Sequence, residues 1–127
     1  MLPLSDWAVA ELKKLKVLAG GHRYVLPNSD GAAPIDPKYL TRSVARCLKR
    51  FKRHGIAAFT LHDLGRTGRT GLGRLGVRVD IAERVLNHTQ ERMQATYDVH
   101  EYMEEKREAL CKWAQYLELK CGGRVAT

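Results

Sequence analysis

The sequence has few cysteines, few aromatic residues and no long apolar run. Its three cysteines are an odd number at wide spacings, which argues against a disulfide framework. No two of them form a C-x-x-C pair, which argues against a cysteine zinc site. No run of about 18 apolar residues is present, which excludes a membrane-spanning helix. The N-terminus also lacks the basic and apolar regions of a signal peptide. We therefore expect a cytoplasmic protein with reduced cysteines.

Acidic residues are scarce relative to basic ones. The 127 residues include 22 Lys and Arg but 14 Asp and Glu, which leaves a formal net charge of +8. Such an excess favours a polyanionic partner, because every neutralised phosphate releases counterions. Charge alone leaves DNA, RNA and an anionic membrane surface open as partners. The length fits one domain with its own hydrophobic core.

Helical periodicity and capping residues predict a mainly α fold. Ser5 is a suitable cap for the first helix, and Asp36 followed by Pro37 is a suitable start for the second. One short strand is predicted near the N-terminus at Tyr24–Leu26. The predicted helices span about residues 6–19, 37–53, 60–75, 79–87, 90–97 and 101–119.

The second predicted helix has two contrasting faces. Its apolar positions are Leu40, Val44, Leu48 and Phe51. The opposite face is basic and carries Arg42, Arg46, Lys49, Arg50 and Arg53. A basic helix face is either simply solvated or a nucleic-acid surface, and charge pattern alone does not choose between them.

The third predicted helix contains four glycines, each of which costs about 1 kcal/mol relative to alanine in a helix interior. This composition indicates close approach to a neighbouring helix or to DNA, or else loss of selection. The sequence leaves these explanations open. The glycines are Gly65, Gly68, Gly71 and Gly73.

Three short segments, in this order, resemble the tyrosine recombinase family, which includes the phage integrases. The segments are His62-Asp63-Leu64-Gly65-Arg66-Thr67, Leu86-Asn87-His88 and Tyr97-Asp98-Val99-His100. In the family, a histidine is followed one helical turn later by an arginine, then by a second histidine or tryptophan, then by a tyrosine. The separation of His88 from Tyr97 matches the family, and the likeness extends from Pro3 to about Leu119.

The resemblance implies catalytic roles for three residues. Tyr97 would attack a DNA phosphodiester and form a 3′-phosphotyrosyl link, while His88 would hydrogen-bond a phosphate oxygen. His62 would assist proton transfer. A tyrosine is only about one part in a thousand phenolate at neutral pH, so it needs such help. No metal or nucleotide cofactor is expected in this family. Tyr102 is a rival nucleophile, but its position favours packing on the last helix.

The sequence departs from the family pattern at Gly65, where the family has an arginine. The family's first arginine and its lysine general acid lie upstream of the matching region. We therefore expect residues 1–127 to be the C-terminal part of a catalytic domain, without the DNA-clamping domain. Loss of one such arginine costs about three to five powers of ten in rate, so activity should be impaired. Arg66 and Arg69 lie near the His62 face and are alternative phosphate ligands.

Two main hypotheses follow. The first is a truncated, impaired recombinase of a mobile element that acts on double-stranded DNA, with an intact recombinase or a second copy as further partner. The second is a non-catalytic DNA-binding or regulatory module derived from an integrase. A third and weaker hypothesis is a basic helical protein that binds RNA or a protein. Aromatic residues make up 7%, which is little for a base-stacking RNA platform.

Taken singly, the three proposed catalytic side chains are unremarkable. A histidine at a helix end is commonly a capping or surface residue, and a tyrosine is commonly half-buried packing. His62, His88 and His100 include no closely spaced ligand pair, which argues against a metal site formed by these three residues. Only the ordered set of motifs distinguishes the candidates.

Overall fold

The mainly α fold predicted from the sequence is confirmed. The computed structural model describes residues 1–87 and 102–121, so the helix predicted for residues 90–97 lies outside the described residues. No helix in the two described ranges combines the length and hydrophobicity needed to cross a bilayer. The helices are α1 (Asp6–Leu18), α2 (Pro37–Arg53), α3 (Leu61–Arg74), α4 (Val79–Val85) and α5 (Met103–Cys121).

Side chains cap the first two helices as predicted. The Ser5 hydroxyl oxygen accepts a hydrogen bond from the Ala8 amide at 3.2 Å and caps α1. The Asp36 carboxylate accepts from the Lys38 amide at 2.8 Å, and Pro37 begins α2. Each cap satisfies an amide that has no partner within its own helix.

A reciprocal capping box begins α3, the helix that carries His62. The Thr60 amide donates to the Asp63 carboxylate at 2.9 Å, and the Asp63 amide donates to the Thr60 hydroxyl at 3.2 Å. This arrangement satisfies two amides at once. The end of the helix is followed by Gly76, whose φ of 76° suits a residue without a side chain.

The predicted strand at Tyr24–Leu26 is wrong, because these residues form bends. The chain instead makes an isolated bridge between Pro27 and Pro34. Two backbone hydrogen bonds support it: Ile35 donates to Leu26 at 2.9 Å, and Asn28 donates to Ala33 at 2.8 Å. Pro27 and Pro34 form a non-hydrogen-bonded pair, a position that requires no amide hydrogen from either residue. The Ala33 amide donates to the Asn28 side chain at 3.1 Å, and the Asn28 carbonyl accepts the Gly31 amide, so a local turn replaces the backbone bond that would continue the pairing.

The chain divides into two compact units. One consists of Met1–Ala8 with Arg66–Thr127 and is called the core unit here; the other is Val9–Gly65 and is called the basic unit. In the core unit, α4 packs against α5, and Lys106 is also buried there. The Lys106 ammonium donates to the Met1 carbonyl at 2.9 Å, which ties the N-terminal segment to α5. The buried cluster comprises Leu72, Ile81, Ala82, Val85 and Ala109.

The basic unit is built differently. None of its residues is buried, and α2 buries none of its side chains. Phe51 and Phe59 stack with their ring centroids 5.7 Å apart, which covers part of the apolar face of α2. The unit therefore presents most of its side chains, including its charges, at the surface.

Candidate nucleic-acid interface and catalytic residues

Positive charge is concentrated in the basic unit. Val9–Gly65 contains eleven of the 22 Lys and Arg residues but only four of the fourteen Asp and Glu residues, and so carries seven of the eight net positive charges. The core unit is close to neutral by the same count. An uneven distribution of this kind creates a local field that attracts polyanions.

The basic face of α2 is the densest part of this charge. At about 100° per residue, its five cations fall within an arc of about 100° and extend along about 16 Å of helix. Arg46 is further ordered, because its guanidinium lies 5.2 Å from the Tyr39 ring centroid and donates to the Ser43 hydroxyl at 3.2 Å. Within residues 1–87 and 102–121, no carboxylate pairs with this face. All five are exposed: Arg42, Arg46, Lys49, Arg50 and Arg53.

His62 is an exposed residue in the first turn of α3, directly after the capping box. Gly65 follows one turn later, and a Cβ atom built on it meets no described atom within 4 Å, apart from its chain neighbours and the backbone of its own helix. A Cβ atom is therefore accommodated at residue 65 as far as the described residues are concerned. The structure places an open position where the resemblance expects an arginine.

Arg66 and Arg69 belong to the core unit and differ in exposure. Arg66 is exposed, whereas Arg69 is half-buried and its Nε lies 2.5 Å from the Glu83 carboxylate on α4. The sequence suggested Arg69 as an alternative phosphate ligand. The ion pair with Glu83 neutralises the charge that this role requires. Glu83 gave no signal in the sequence, because it is distant from Arg69 along the chain and no local pattern links the two.

His88 and Tyr97 lie outside the described residues, so their convergence with His62 stays a prediction. The rival tyrosine is described. Tyr102 packs against the buried cluster, and the Arg84 guanidinium lies 4.2 Å from its ring centroid. The packing role predicted for Tyr102 is confirmed, although the residue precedes α5 and does not form part of it.

Tyr102 and Asn87 share a feature that the sequence did not reveal. Both have a left-handed backbone, with φ of 50° and 54°. Asparagine adopts this conformation readily, but a tyrosine does so only at an energetic cost of about 1–2 kcal/mol. The Tyr102 carbonyl accepts the Lys106 amide at 2.9 Å, so the conformation starts the hydrogen bonding of α5.

Comparison with known proteins gives one informative likeness. The chain is 28% identical over 125 residues to the prophage integrase IntA of Escherichia coli strain K12. The aligned region covers 98% of this chain but 29% of that protein's length. No protein-family model matches the chain, and no solved structure matches it. The likeness supports a relationship to an integrase over nearly the whole sequence.

Proposed function

We propose that this chain acts on double-stranded DNA as a relative of tyrosine-type integrases, in a catalytically impaired form. The observation that carries the proposal is the likeness to a prophage integrase along 98% of the sequence. The order of the motifs around His62, His88 and Tyr97 supports the tyrosine recombinases as the type of integrase to which the chain is related. The chain corresponds, on this proposal, to the C-terminal part of their catalytic domain.

DNA binding is assigned to the basic unit, with the exposed face of α2 as its principal surface. Arginine and lysine side chains on one helix face neutralise successive phosphates and release counterions. Such contacts hold a protein on the duplex without specifying a base sequence. The near neutrality of the core unit supports this assignment, because it leaves the basic unit as the main source of attraction.

The catalytic part of the proposal gives Tyr97 the role of nucleophile. Its phenolic oxygen would attack the phosphorus atom and form a phosphotyrosyl bond, while the 5′-hydroxyl of the cleaved strand leaves. His88 would donate a hydrogen bond to a phosphate oxygen, and His62 would assist proton transfer. The step needs neither a metal nor a nucleotide.

Gly65 is the reason for proposing impaired catalysis. Phosphoryl transfer gathers negative charge on phosphate oxygens in the transition state, and a fixed arginine stabilises that charge. Glycine supplies no such group. Arg69 is a poor replacement, because its guanidinium already pairs with Glu83.

The second candidate is a non-catalytic DNA-binding or regulatory module, which acts alone, as self-associated copies or beside an intact recombinase. The observation that favours it is the combination of an intact basic face on α2 with glycine at residue 65. Both candidates predict DNA binding. Covalent chemistry separates them.

Covalent trapping on nicked suicide duplexes distinguishes the two candidates. A pool of duplexes with varied sequence is incubated with the protein, and denaturing gels are used to detect protein–DNA adducts. Tyr97→Phe is the control, since it removes only the nucleophilic oxygen. An adduct that Tyr97→Phe abolishes supports the enzyme, and binding without any adduct supports the module. Absence of duplex binding at low salt contradicts both.

A further inference from the structure

The central turns of α2 place like charges beside one another. Residues four apart are neighbours on a helix surface, and like charges at that spacing destabilise the helix. Four such pairs occur in α2, which contains no Asp or Glu between Pro37 and Arg53. The pairs are Lys38 with Arg42, Arg42 with Arg46, Arg46 with Arg50, and Lys49 with Arg53.

Helix α5 provides a contrast within the same chain. Its Glu108 carboxylate lies 2.7 Å from the Lys112 ammonium, and Glu104 lies 3.8 Å from Arg107. These pairs have opposite charges at favourable spacings. Helix α5 also buries Ala109 and other side chains against the core unit, whereas α2 buries none. Tertiary packing supplies most of the stability of helices of this length.

Interactions at the two ends of α2 offset part of the destabilisation that its like charges cause. Asp36 caps its start, and Arg50, Lys52 and Arg53 lie in its last turn, where cations interact favourably with the helix dipole. Both effects are confined to the terminal turns. The repulsion centred on Arg46 is left without an opposing carboxylate in the described residues.

We infer that the folding of α2 is coupled to the binding of a polyanion, and that double-stranded DNA is the occupant. This inference rests on the proposed function. Phosphates placed along the basic face supply the negative charge that α2 lacks, so they favour its helical conformation. In the free chain, α2 opens more often than α5, and the duplex suppresses that opening. DNA binding therefore also orders the surface that binds it.

Amide hydrogen exchange of the whole chain tests the inference, with a short duplex of arbitrary sequence as the probe. At low salt we expect faster exchange in α2 than in α5, and a slowing of about tenfold or more in α2 once the duplex is bound. High salt should reverse this slowing. Heparin serves as a second probe, because it supplies the charge without the shape of a duplex. Protection by the duplex and by heparin supports coupling through charge.

The variant Arg46→Gln/Arg50→Gln sharpens the test, since glutamine and arginine have similar helix propensities. We expect slower exchange in α2 of the free variant, because the repulsion is reduced, together with weaker DNA binding. If these two arginines instead stabilised α2, the amides of α2 would exchange faster in the free variant. The matched control, Lys112→Gln/Lys120→Gln, removes the same charge from α5 and should leave exchange in α2 unchanged.

The outcomes separate this inference from the proposed function. Duplex binding with α2 exchange unchanged, or faster α2 exchange in the free Arg46→Gln/Arg50→Gln variant, overturns the coupling and leaves DNA binding intact. Slowing by the duplex but not by heparin overturns the charge mechanism. No binding of the duplex at low salt overturns both the inference and the proposed DNA surface.

Discussion

The indole ring of Trp113 lies directly against the backbone of Gly71, in the space that a Cβ atom at residue 71 would occupy. Trp113 also stacks on Tyr116, with ring centroids 5.5 Å apart, and packs against the buried cluster of the core unit. Close approach to a neighbouring helix thus explains one of the four glycines in α3. Gly65 and Gly68 have no such neighbour among the described residues.

We predict that Gly71→Ala destabilises the protein. The added methyl group overlaps the ring of Trp113, and overpacking of this kind costs about 1–3 kcal/mol. Alanine recovers up to about 1 kcal/mol of helix propensity, so the net effect is a loss. Chemical denaturation measures the change. The control is Gly68→Ala, which meets no described atom and should stabilise the helix. Equal stabilisation by both variants would contradict the packing explanation.

The ion pair between Arg69 and Glu83 links α3 to α4 within the core unit. A double-mutant cycle of Arg69→Met and Glu83→Gln should give a coupling energy of up to about 1 kcal/mol, since the side chains are only partly exposed and orient one another. The free energy of unfolding of the four proteins measures it. A coupling energy of zero would mean that Arg69 is available to other anions.

The open position at Gly65 predicts that Gly65→Arg folds normally. Arginine gains up to about 1 kcal/mol over glycine in a helix interior. The new cation beside His62 should strengthen duplex binding by up to about fivefold, because an exposed ion pair contributes up to about 1 kcal/mol. Gly65→Gln is the matched control without charge. If both variants bind the duplex equally, residue 65 does not face the DNA.

The capping box at the start of α3 predicts a cost for Thr60→Ala. This change removes the hydroxyl that accepts the Asp63 amide, and loss of such a cap costs about 1 kcal/mol. Thermal unfolding measures the effect. Thr70→Ala changes an exposed threonine later in the same helix and should be neutral or slightly stabilising. If Thr60→Ala left the unfolding temperature unchanged, the capping box would not fix the turn that carries His62.

The features that could be predicted from the sequence are those that depend on residues close together along the chain. The structure confirms the caps formed by Ser5 and Asp36, which follow from patterns a few residues long. The predicted strand at Tyr24–Leu26 was wrong because a strand needs a partner segment, and in the described residues the pairing here is limited to the bridge between Pro27 and Pro34.

Long-range relationships could not be predicted. Glu83 meets Arg69, and Trp113 meets Gly71, only through the packing of the core unit. The four glycines of α3 left close approach of a helix or of DNA and loss of selection open as explanations, and their pattern did not identify Trp113. At the candidate site, the open space at Gly65 follows from the fold, while the meeting of His88 and Tyr97 with His62 stays a prediction.

DNA binding through the basic face of α2 is the central part of the proposed function. Titration of a duplex over a series of salt concentrations tests it most directly. We predict that the logarithm of the association constant falls linearly with the logarithm of salt, by about 0.9 for each phosphate contact. Neutralising Arg46 and Arg50 should then reduce that slope by about 2. Binding that is independent of salt, or a slope that these two changes leave unaltered, would contradict the account.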